Sequence, residues 1–281
     1  MTASTPYRYE DIDWPLLRAE AMAQKGWEKK GPKDWDSKSK GFAERTKNNA
    51  YVDLFLSHLP LSNSSTVLDI GAGPGTLALP IAKTVKSITA IDFSAGMLKT
   101  LNNSAEEDGI ENIRTIQCAW EDDWAKKNIE PHDIAVASRS MGVKDLEAAL
   151  IKINSFAKKF VFISDRIGST PFEAAAFHAI GRNFQPGPDY IYTLNTLYNL
   201  GIHPNVTVLE IDKELHFKTM EEAFQSFQWM FQNLNDNEKS SLNNYINSRI
   251  TDRNDGGFTV ERETPVRWAL IWWKKESNTS L

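Results

Sequence analysis

At 281 residues the chain has room for one large α/β domain, or for a core domain with attached elements. Its 41% hydrophobic and 25% charged residues, with nine tryptophans, exclude a disordered polypeptide, and a lone cysteine, Cys118, excludes an internal disulfide framework. A net charge of −5 supplies no global attraction to nucleic acid, although a local basic patch stays compatible with it.

From the N-terminus, "DWPLLRAEAMAQKG" predicts a helix with Asp13 as N-cap, Pro15 in the first turn and Gly26 at its end. The lysine-rich Lys25 to Gly41 stretch, broken by Gly and Pro, reads as a solvated connection, with an anion-binding lid as the minority reading. Phe42 to Leu59 resumes helical spacing and places Tyr51, Leu54, Phe55 and Leu59 near one face. No run of about 18 apolar residues occurs, and the N-terminus lacks the basic start and apolar core of an export signal. The expectation is a cytoplasmic protein with no membrane span.

Strands are expected at 67–70, 87–91, 113–117, 133–137 and 160–164, separated by helical stretches. In one of these, Leu146, Ala149, Leu150, Ile153 and Ala157 share a stripe. Strands apolar on both faces, alternating with helices, predict a doubly wound, mostly parallel sheet. Beyond Pro171 the pattern loosens. Two helices, the second capped by Asp189, precede strands expected at 205–211 and 266–273. The fifty or so residues between those strands read as a helical insertion that opens with a Thr219 and Glu222 capping box. In it Met220, Ala223, Phe224, Phe227, Phe231 and Leu234 share one face, and Trp229 falls on the opposite side, where it either packs under another element or lines a pocket.

The informative stretch is "VLDIGAGPGTLALPIA", Val67 to Ala82. Glycines after the first strand of such a sheet let the loop turn tightly and let backbone amides approach a ligand with no Cβ in the way. A dinucleotide oxidoreductase would show G-x-G-x-x-G there; here Gly71, Gly73 and Gly75 are followed by Thr76, and an acid, Asp69, sits inside the strand. Asp69, Gly71, Ala72, Gly73, Pro74 and Gly75 resemble the first motif of the class I S-adenosylmethionine-dependent methyltransferases. "AIDFSAGML", with Asp92, Phe93 and Met97, resembles the second, and "IQCAWED" falls where the third is expected. "ASRSMGV", from Ala137, falls where members often begin a loop that touches cofactor and acceptor.

The resemblance covers roughly 51–166 and implies a seven-stranded fold that binds S-adenosylmethionine. It implies that Asp92 accepts hydrogen bonds from the ribose, that Phe93 lies beside the adenine and that Ser138 faces the methionine part of the cofactor. The frequent adenine-binding Asp of the family aligns with Ala119, so backbone atoms of Ala119 or Trp120, or the side chain of Glu121, would have to serve. On this reading residues 1–60 form a helical cap, and 61–281 form the methyltransferase domain, with helical additions at 171–200 and 218–264.

Transfer from a sulfonium is an in-line displacement, so alignment and exclusion of water carry the acceleration, and only hydroxyl or carbon acceptors need a general base. The acceptor is expected to be a small molecule, because the additions are acidic overall and rich in aromatics. RNA, and a cofactor-binding sensor without catalysis, are the alternatives. Trp35, Tyr51, Arg139 and Trp229 are the candidate substrate contacts. Arg139 is chosen because it ends a strand at the ligand edge and carries a fork suited to a carboxylate or phosphate. Asp165 and Arg166 share that location but can pair with each other, His178 and His203 read as structural or exposed, and no metal-ligand pattern occurs.

Overall fold

The five apolar runs of the first half are strands: β1 (Thr66–Ile70), β2 (Ser87–Asp92), β3 (Ile113–Gln117), β4 (His132–Ser138) and β5 (Ala157–Arg166). The structure, a computed structural model, describes residues 8–25, 50–211, 214–254 and 256–275. The five strands pair in parallel in the order β3-β2-β1-β4-β5. The chain reverses its winding between β1 and β4, and the crevice outside the carboxyl ends of these two strands is where such sheets take ligands. Two more strands, β6 (Asn205–Ile211) and β10 (Val266–Lys274), complete seven, with β10 antiparallel to both β5 and β6.

Side-chain alternation divides the core between the two faces of the sheet. On one face Val67, Phe162 and Leu270 pack with α2 (Ala50–Leu56) and α3 (Ala78–Ala82). On the other, Leu68, Ile163 and Ile271 pack with α5 (Leu146–Ser155) and α7 (Tyr190–Asn199). The helix α4 (Ala95–Glu107), capped by Ser94, follows β2 and buries Leu101 in the first of these cores. Ala157, expected on the α5 stripe, opens β5 instead, because α5 stops at Ser155.

The expected helical insertion holds two helices and, beyond the expectation, a small sheet. Besides α8 (Met220–Gln228) and α9 (Asp236–Ser248) it contains a three-stranded antiparallel sheet of β7 (Glu214–Phe217), β9 (Gly257–Glu261) and β8 (Ile250–Asn254), in that order. β7 (ELHF) and β9 (GFTVE) alternate apolar and polar residues over one short stretch each, whereas β8 (ITDRN) is polar after its first residue and carries no such signal. Gly257 allows the close approach: at φ +136°, a Cβ there would lie 2.1 Å from the Phe217 carbonyl oxygen. Phe227, Leu242, Ile246 and Val260 form the insertion's own core together with Ala176 of α6 (Ala174–Ala179). A buried ion pair joins the pieces: Arg262 Nε donates to Glu173 Oε2 at 2.7 Å, while Glu173 Oε1 accepts from Tyr245 and from the Glu263 amide.

The N-terminal helix forms as expected. Asp13 caps α1 (Trp14–Gln24) by accepting from the Leu16 amide at 2.9 Å, and Trp14 meets Tyr192 of α7 edge-on. Arg18, buried, donates to the carbonyls of Met141 and Val143 in the loop after β4. Most of the lysine-rich connection, with Trp35, lies outside the described residues.

Candidate functional site

A cleft of about 1070 Å³ opens over the carboxyl ends of β1 and β4 and runs to the insertion. Its floor is set by the glycine loop. Gly71 and Ala72 donate to the Ile91 carbonyl at 2.8 and 3.0 Å, which folds the loop back onto the end of β2. Gly71 has φ +71°, and a Cβ there would lie 2.5 Å from the Cβ of Ser140, whose hydroxyl donates to the Ile70 carbonyl. Gly73 has φ +58° and nothing within 4 Å of a built Cβ, so its bare backbone faces open cleft. Gly75 differs from both. It does not line the cleft, and its missing Cβ makes room for Leu79 and Leu101, a packing role.

The acids come next. Asp92, at the end of β2, accepts from the Gly73 amide (Oδ2) and the Ser94 amide (Oδ1), each at 2.9 Å, which fixes its carboxylate against the loop. Asp69 is buried at the cleft floor, and its Oδ2 has no hydrogen-bond partner within the protein. Burial, with the negative charge of Asp92 added, pushes its pKa up to about 7. Phe93, Met97, Ala119, Trp120, Glu121 and Ser138 all line the cleft, as does Thr76. The Ala119 amide donates to Asp122 and its carbonyl accepts from the Trp124 indole, whereas Glu121 is exposed.

The opposite end is built from side chains. Arg139 has φ +54°, and its amide is held by the Ser164 hydroxyl at 3.0 Å and carbonyl at 3.2 Å. Its guanidinium sits 4.4 Å from the centre of the Tyr51 ring and 5.7 Å from that of Trp268. Tyr51 itself is wholly buried and does not line the cleft, so the expected substrate contact is corrected to support from beneath. Its hydroxyl lies 2.6 Å from both Ser138 Oγ and Ser164 Oγ, and burial holds its pKa above the ordinary phenol value. Asp165 accepts from Thr193 and the Arg166 amide, and its burial raises its pKa. His178 and His203 are exposed and lie away from the cleft.

Trp229 does line the cleft. It is the C-cap of α8, 45% exposed, and tilts against Phe172 at 5.5 Å. Phe172, Phe177 and Phe231 extend this into an aromatic wall. Two wall residues, Phe172 and Phe177, and Arg18 escaped the sequence reading. For Arg18 the signal existed: Trp14, Arg18 and Met22 recur at a spacing of four on one helical face, and Arg18 and Met22 both line the cleft.

Residues 67–160 match the family model described as a methyltransferase domain. A Haemophilus influenzae protein described only as uncharacterized is 32% identical over 245 residues, covering 86% of this chain and 89% of its own. RNA methyltransferases align over shorter stretches, at most 31% of this chain. Among solved structures, a putative methyltransferase from Bacillus halodurans superposes with a TM-score of 0.55 at 15% identity, covering 81% of this chain and 99% of that one. Coclaurine N-methyltransferase gives 0.52 at 14%, covering 97% and 90%. The strand order, the glycine loop and these matches converge. Residues 67–160 thus carry a methyltransferase domain, on the Rossmann-like fold of the class I S-adenosylmethionine-dependent methyltransferases.

The residues present fit that cofactor. Asp69 offers a buried acceptor atom with no protein donor, Gly73 offers main chain with no side chain in front of it, and Asp92 offers an oriented carboxylate. Among the described residues no helix is long and apolar enough to cross a membrane.

Proposed function

We propose that this enzyme methylates a small molecule bound between the Arg139 end of the cleft and the aromatic wall. S-adenosylmethionine, when bound, supplies a methyl carbon made electrophilic by its sulfonium. The chain's own residues then have separable tasks. The Gly71 to Gly73 backbone and Asp69 take the methionine part, with Ser138 beside it, and Asp92 accepts from the ribose hydroxyls. Phe93 and Met97 flank the adenine. The Ala119 carbonyl already accepts from the Trp124 indole and the Trp120 carbonyl from the Lys152 ammonium, which leaves Glu121 as the acceptor for the adenine amine.

The observation that carries the small-molecule reading is the continuity of one cleft from the glycine loop to a wall of Phe172, Phe177 and Trp229. A groove that reads nucleic acid is expected to be a basic surface with phosphate contacts, whereas a walled cavity with apolar sides removes a small acceptor from water. No histidine lines this cleft among the described residues, so the carboxylates Asp69, Asp92, Glu121 and Asp165 are the candidate proton acceptors in it. Asp165 is the one beside Arg166 at the end of β5, on the Arg139 side of the cleft. The test is to incubate the enzyme with methyl-labelled S-adenosylmethionine and cell extract split into metabolite, RNA and protein fractions. Label in the metabolite fraction is expected. Label confined to RNA would replace this reading with the nucleic-acid one.

A further inference from the structure

We infer that Lys152 is a positioning residue for the cofactor: standing on α5 outside the cleft, it sets the loop after β3 in the shape that presents Glu121 to the adenine amine. This rests on the reading of Glu121 as the acceptor for that amine, and goes beyond it by naming what directs the carboxylate. The first observation is where the lysine ammonium goes. Its Nζ donates to the Trp120 carbonyl at 2.7 Å and to the Asp122 carbonyl at 3.0 Å, one residue on either side of Glu121. Hydrogen bonds from a cation to main-chain oxygens are among the stronger ones a protein makes, and Lys152 is only partly exposed where it makes them. Lys152 does not line the cleft, whereas Ala119, Trp120 and Glu121 do, so it acts on the cofactor through the loop.

The second observation is what those bonds fix. A side chain leaves its Cα in a direction set by the peptide planes before and after it, and each plane is rigid. The plane before Glu121 carries the Trp120 carbonyl, which Lys152 holds; the plane after it carries the Asp122 amide, which donates to the Ala119 carbonyl at 3.4 Å. That same carbonyl accepts from the Trp124 indole at 3.0 Å, and the Lys152 ammonium lies 5.3 Å from the centre of the Trp124 ring. Lysine, indole and loop form one brace. On the cleft side the Trp120 indole donates to the Ser140 carbonyl at 3.1 Å, so the loop is tied to the end of β4 as well.

The third observation is a contrast with a second lysine near the same loop. Lys127 pairs with Asp122 at 3.1 Å and donates to the Gln117 carbonyl, but the two side chains of that ion pair are 39% and 40% exposed. Exposed pairs of this kind hold little in place. Neither the Asp122 carboxylate nor the Gln117 carbonyl belongs to a peptide plane beside Glu121.

The experiment uses the full chain and calorimetry with two probes, S-adenosylhomocysteine and its analogue in which a hydrogen takes the place of the adenine amine. The wild type is expected to prefer S-adenosylhomocysteine by about tenfold, the lower end for a hydrogen bond to a charged group. Glu121→Ala should reduce that preference to about twofold or less. Lys152→Met keeps the apolar stem and removes the ammonium. It should lower the preference to about twofold to threefold, by weakening S-adenosylhomocysteine more than the analogue, while Lys127→Met should leave it within about twofold of wild type. In the Glu121→Ala background Lys152→Met should change the preference by less than about 1.5-fold, because both substitutions remove the same interaction. A lysine that only stabilised the fold would lower the melting temperature and weaken both probes alike. Lys152→Gln, read in the same way, replaces the Met variant if that one does not fold. An equal loss for both probes, or a preference unchanged in the Lys152 variants, overturns the inference. If S-adenosylhomocysteine did not bind the wild type, the methyltransferase reading would fall first. If it bound with no preference, or with one indifferent to Glu121→Ala, the reading of Glu121 would fall and this inference with it. A preference that needed Glu121 but not Lys152 would remove this inference alone.

Discussion

The two ends of the cleft are made in different ways. At the glycine end the lining is a main-chain loop pinned to the Ile91 carbonyl, a bare Gly73, and an Asp92 carboxylate oriented by the Gly73 and Ser94 amides. At the far end it is side chain, with Arg139 on Tyr51, Trp229 on Phe172 and Arg18 from a helix more than a hundred residues away in sequence. Main-chain recognition tolerates few substitutions because it depends on φ values that only certain residues reach. Side-chain recognition can be rewritten one residue at a time.

Substitutions test that contrast, beginning with the largest effect. Gly71→Ala is expected to cost about 2–4 kcal/mol of stability and to reduce S-adenosylhomocysteine affinity at least about a hundredfold, since the new Cβ meets Ser140 at 2.5 Å on a positive-φ backbone. Thermal unfolding and calorimetry together check it. Asp92→Ala removes the acceptor that fixes the Gly73 and Ser94 amides and should weaken the same ligand by about 10–100-fold. An affinity that barely moved would mean the glycine end does not depend on that carboxylate.

Asp69→Asn sharpens the contrast through pH. Because the folded-state pKa is raised to about 7 from 3.8, the native state holds a proton that the unfolded state has lost. Its contribution to stability is therefore present below about pH 4 and disappears as the pH climbs through 7. The ligand-free Asn variant should lose this slope and melt higher than wild type at pH 8, by about 2–4 °C per kcal/mol gained, while binding S-adenosylhomocysteine about tenfold less tightly. A wild-type protein whose stability does not fall between pH 5 and 8 more than the variant's would refute it. The smallest effect on the cofactor belongs to Trp229→Ala, at the far end: S-adenosylhomocysteine affinity should stay within about twofold and stability within about 1 kcal/mol. If this substitution moved cofactor affinity as far as Asp92→Ala did, the two ends would not be separate, and the contrast would break.

The same contrast decides what could be read from the sequence. Main-chain recognition needs glycine at fixed offsets and an acid at a strand end, so Asp69, Gly71, Gly73 and Asp92 were visible as a pattern, and the five parallel strands were visible as apolar runs. Gly75 shows the limit even there: its spacing fits the motif, but its space is used by Leu79 and Leu101. Side-chain recognition gathers residues from α1, the β4 loop, the stretch before α6 and the C-terminus of α8, whose proximity no local spacing encodes. Tyr51 fits either a core or a site position on its helical spacing, and the structure buries it one layer beneath the cleft, under Arg139. The β7-β9-β8 sheet is hidden in the sequence because its strands, ELHF, ITDRN and GFTVE, hold at most two apolar side chains each and so show no apolar run like those of β1, β2 and β4.

Arg18 reaches across from the outermost helix to hold two main-chain oxygens of the β4 loop. Helix and loop thus behave as one mechanical part: whatever rearranges the peptide planes at 141 and 143 must also pull on α1, and whatever dislodges α1 strips those planes of their donor. A mutation on the far side of that helix, touching nothing in the crevice, can therefore slacken the crevice rim.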